Sequence, residues 1–70
     1  MLEDGAYDTV VVDARGENGT VVLELAIAAG AHRGEVVTVR SRALLADPLS
    51  LLGLPATLTV AGGEPRVEIG

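Results

Sequence analysis

Seventy residues suffice for one small domain, and 49% of them are hydrophobic, with no cysteine, tryptophan or phenylalanine among them. Disulfides and thiolate metal sites are thereby excluded, and the core must be aliphatic. The formal charge of −5 gives no basic footprint for unspecific binding to a phosphate backbone.

Residues 1–6 read as an acidic N-terminal arm, opposite in character to a secretion signal. YDTVVVDAR, residues 7–15, is β-branched and poor in helix formers, so it reads as a first strand. Asn18-Gly19 accepts positive φ and marks a tight hairpin. TVVLELAIA, residues 20–28, is the second strand. Val21, Leu23, Leu25 and Ile27 alternate there with Val22, Glu24 and Ala26, which sends the first set to the core and the second to solvent. Gly30 and Gly34 bracket His32-Arg33 in the next turn. EVVTVRSR, residues 35–42, is the third strand, with Val37 and Val39 inward and Val36, Thr38, Arg40 and Arg42 outward.

The two-residue period breaks at residue 43. Asp47 is a good N-cap, Pro48 suits the first helical position and Gly53 a C-terminal stop. These signals predict a single short helix or helical turn over about residues 48–52, with Leu49 and Leu52 on one side. Strands return at residue 55. Ala56, Leu58 and Val60 face inward, Gly62-Gly63 makes a turn, and Pro65 opens a last strand with Val67 and Ile69 inward and Arg66 and Glu68 outward. The expected fold is all-β: a single domain over residues 1–70, a small five-stranded antiparallel barrel with one short helix. Closing into a barrel would cover the apolar face and hide the strand edges. No apolar run is long enough to span a bilayer, so a soluble, cytoplasmic protein is expected. The lack of lysine and the wealth of Ala, Val and Gly match the usage of a GC-rich bacterial genome.

The order of elements, with GAHRGEVVTVR at residues 30–40 and LLGLPATLTVAGGEPRVEI at residues 51–69, resembles the OB-fold of bacterial and phage domains. The resemblance covers residues 7–69. Its motifs also occur in SH3-like barrels, so another small β-barrel stays open at this point. The resemblance implies single-strand binding across strands two and three, between the first and last hairpin loops. Arg15 and Arg66 stand at the bases of those hairpins. With Arg33, Arg40, Arg42 and His32 they form the candidate ligand or nucleic-acid site.

The chemistry of that surface runs the other way. Single-strand binding relies on aromatic platforms in a basic groove, and here the outward positions carry no aromatic and place Glu24 in their middle. Arg40 has a plain alternative, a cross-strand pair with Glu24 or Glu68, and Arg42 can cover apolar surface with its stem. His32 titrates near neutrality, yet it has no second histidine or cysteine to share a metal with. Ser41 and Ser50 lack the context of a nucleophile, so His32 reads as an exposed hairpin residue. AGGEPR lacks the lysine and helix of a phosphate loop. No cofactor is called for and no enzymatic activity is expected. The aliphatic side chains exceed one small core: Val10 to Val12, Val22, Val36, Leu44, Leu45, Leu51, Leu52 and Leu54. That excess points to a non-catalytic interaction module, self-associating as a homo-oligomer or binding a protein partner. The alternative is a single-stranded nucleic-acid-binding protein that reads its ligand through surface arginines.

Overall fold

The computed structural model describes residues 2–41 and 47–70. Its elements are β1 (Gly5–Glu17), β2 (Thr20–Ile27), β3 (Val36–Ser41), a 3-10 turn (Pro48–Leu51), β4 (Pro55–Ala61) and β5 (Glu64–Ile69). They form one antiparallel sheet in the order β3-β2-β1-β4-β5. The fold is all-β, as the alternating valines and leucines require. The radius of gyration is 11.3 Å, close to the value of about 11 Å for a compact domain of this length.

β1 organises the sheet because it is long enough to pair twice. Its first half, Gly5 to Val10, pairs with β4, and its second half, Thr9 to Glu17, pairs with β2. The strand begins inside the stretch expected to be an arm: Gly5 and Ala6 oppose Val60 and Thr59. Leu2 packs against the core, and the Asp4 carboxylate accepts the Gly62 N–H at 3.1 Å.

A bulge lies between Val11 and Asp13. Two residues then oppose one on β2, and the strand bends. The bulge also changes which residues face the core. Before it, Thr9 and Val11 point inward; after it, Ala14 does. Asp13, Arg15 and Glu17 are thereby turned outward together.

The inner face collects Val11, Ala14, Val21, Leu23, Leu25, Val39, Ala56, Leu58 and Val60, with Val37, Val67 and Ile69 packed at its margin. Thr9 is the one buried polar residue among those described, and its hydroxyl donates to the Ala56 carbonyl at 2.8 Å. β3 and β5 end the sheet. They approach each other, but among the described residues no ladder joins them, so the sheet is not closed.

The connection to β4 is the expected helical turn, of 3-10 type, with the Asp47 carboxylate accepting the Leu49 N–H. Leu51 enters the core, 4% exposed, while Leu49 is 70% exposed and Leu52 is also in solvent. Side chains three apart eclipse in a 3-10 turn, so Leu49 and Leu52 share the solvent side while Leu51 faces the core. Past it, the Gly53 N–H donates to Val11 and the Val11 N–H to Leu54, which carries the β1–β4 ladder up to the bulge. Leu44 and Leu45 lie outside the described residues.

Candidate interaction surface

The outer face of β1, β2 and β3 is ordered by register into rows. Arg15, Val22 and Arg40 form one row, and Asp13, Glu24 and Thr38 form the next. Val22, expected in solvent, is fully buried. Its cross-strand neighbours are both arginines, close enough for their alkyl stems to flank it on either side. An alternation rule sees only the parity of Val22 and not these neighbours.

Arg15 is bound on three sides. Its Nε donates to Glu17 Oε2 at 2.8 Å, and its Nη1 lies 3.3 Å from both Asp13 Oδ2 and Glu24 Oε2. The Glu17 hydrogen bond raises the guanidinium above its ordinary value, and the same bond leads in lowering the Glu17 carboxyl. Of the two carboxylates open to Arg40 as cross-strand partners, Glu24 stands opposite Thr38 and pairs with Arg15 instead, and Glu68 stands on β5 opposite Thr57. Arg40 acts electrostatically on Glu17 and lines an open polar hollow of about 530 Å³ with Glu17, Asn18 and Thr20.

The other candidate residues do not join this pair. Arg66 lies on β5 opposite Thr59, beyond β1 and β4 in the sheet order. Arg33 lies in the β2–β3 loop, at the end of β2 away from the Asn18-Gly19 hairpin. Arg42 lies outside the described residues. Arg15 and Arg40 alone share a row, two strands apart and so about 10 Å from each other.

His32 is part of the loop's own construction. Gly30 and Gly34 take positive φ, the Arg33 N–H donates to Gly30, and the Glu35 N–H donates to His32. The ring is partly buried rather than exposed. Its Nδ1 pairs with the Glu35 carboxylate, and its edge meets Tyr7 at a centroid distance of 6.0 Å. Among the described residues no three histidine, aspartate or glutamate side chains gather as a metal site would need.

A third row carries a different chemistry. Val36, Ala26, Val10 and Pro55 stand in register across β3, β2, β1 and β4. Val10 and Ala26 are partly exposed and Pro55 is exposed. Val36 is 56% exposed, and the bulge residue Val12, beside the row, is 50% exposed. No family model, curated protein or solved structure matches the chain. This surface is therefore read from its own chemistry.

Proposed function

We propose that the chain is a non-catalytic, OB-like interaction module that receives a protein surface, either a second copy of itself or another protein, on the outer face of β1–β3. The observation that carries this reading is the apolar row of Val36, Ala26, Val10 and Pro55, which stays open to solvent while the opposite face builds the core. Contiguous exposed apolar surface on a small domain marks an interaction site. The sheet order, with a helical turn between β3 and β4, supports the OB-like description. No helix among the described residues is long and apolar enough to cross a membrane, which fits a cytoplasmic setting.

The single-strand alternative has less support. Arg15 is already engaged by three carboxylates, and the arginines are spread over the sheet rather than aligned as a groove. The test is fluorescence anisotropy of labelled single-stranded DNA and RNA at low salt, with light scattering of the same sample. The module reading expects no salt-sensitive nucleic-acid binding. Micromolar binding lost on adding salt and by Arg40→Glu would move the site to the arginines.

A further inference from the structure

We infer that the outer apolar row takes a cationic protein segment, with aliphatic side chains to cover the row and lysines or arginines to meet its rim, and not a second copy of the chain. This rests on the interaction-module reading and names the partner's chemistry.

Charge complementarity at the rim selects this partner. The rows flanking Val10, Ala26 and Val36 hold Asp8 with Thr57 on one side, and Asp13 with Glu24 and Thr38 on the other. Three carboxylates thus border the apolar row, and neither flanking row holds a cation. The next row out holds two cations, Arg15, which is shared among Asp13, Glu17 and Glu24, and Arg40 on the far side of Val22. Asp8 has no ion pair among the described residues. A second copy laid on this face would press carboxylates against carboxylates, which costs affinity. A segment whose apolar side chains alternate with basic ones gains from both, the apolar contact holding the complex and the charges steering it into place.

The probes are three synthetic nine-residue peptides, alternating Leu-Lys, Leu-Glu and Ser-Lys, titrated into the isotope-labelled full chain while amide shifts are followed. Leu-Lys should shift Val10, Val12, Ala26 and Val36 with their neighbours Asp8, Asp13 and Glu24. Val36→Ser should weaken it about tenfold, and the other two peptides should leave these signals in place. Equal binding of Leu-Glu would overturn the cationic partner and leave the module reading standing. Equal binding of Ser-Lys would do the same, by showing attraction without apolar contact. Concentration-dependent shifts along the row in the protein alone, with sedimentation above monomer mass, would give the face to a second copy. Silence from every peptide together with a clean monomer would overturn both this inference and the module reading.

Discussion

Leu51→Ala separates the one leucine of the β3–β4 connection that belongs to the core from those that do not. The substitution removes three carbon groups from a side chain 4% exposed. At about 0.8 kcal/mol per buried methylene, the transfer loss is about 2.4 kcal/mol. The cavity left against β1 brings the total to about 3 kcal/mol or slightly more. A chain of this length has a total stability of about 4–10 kcal/mol, so a third or more is removed. The melting temperature should fall by about 12–24 °C. Leu49→Ala, in the same turn at 70% exposure, is the matched control and should stay within about 0.5 kcal/mol of the parent. Thermal and urea unfolding followed by circular dichroism measure both. Equal losses from the two variants, or none from Leu51→Ala, would refute the claim that the turn plugs the inner face.

Asn18 sits at φ 49° in the hairpin, so Asn18→Ala should cost about 1–2 kcal/mol by urea unfolding while Asn18→Gly costs little. Glu17 is held below its ordinary value of 4.5, first by the Arg15 hydrogen bond. Its contribution is present above the unfolded value and is lost as pH falls through the lowered folded one. The urea midpoint of the parent should therefore drop more between about pH 6 and about pH 3 than that of Glu17→Gln. Val12→Ser and Val36→Ser should each leave stability within about 0.5 kcal/mol, because both side chains are about half in solvent. A large loss in either would mean the row serves folding rather than contact.

Much of the fold was legible in local chemistry. Asn18-Gly19 and Gly62-Gly63 adopt the positive φ that their turns demand. The alternation in β4 placed Ala56, Leu58 and Val60 in the core. What escaped reading depends on register between strands distant in sequence. The bulge at Val12 has no local signature, since three successive valines look alike, yet it decides that Arg15 faces outward beside Glu24. Val22 is buried at a position between arginines on two neighbouring strands, where its own parity argues for solvent. The site suffered most from this limit. Five arginines invited a common role, but the sheet order separates Arg66 and Arg33 from Arg15 and Arg40. The apolar row emerged when Val10, Val36 and Pro55, far apart along the chain, fell into one line across the sheet.

The most direct test of this account is photo-crosslinking in native cell extract from a benzophenone placed at position 36, compared with one at position 59. Thr59 is exposed on β4, on the same outer side of the sheet but away from the row. Position 36 should give discrete protein adducts, diminished by added salt, and position 59 none of the same mass. Identical adducts from both positions, or none from position 36, would contradict it.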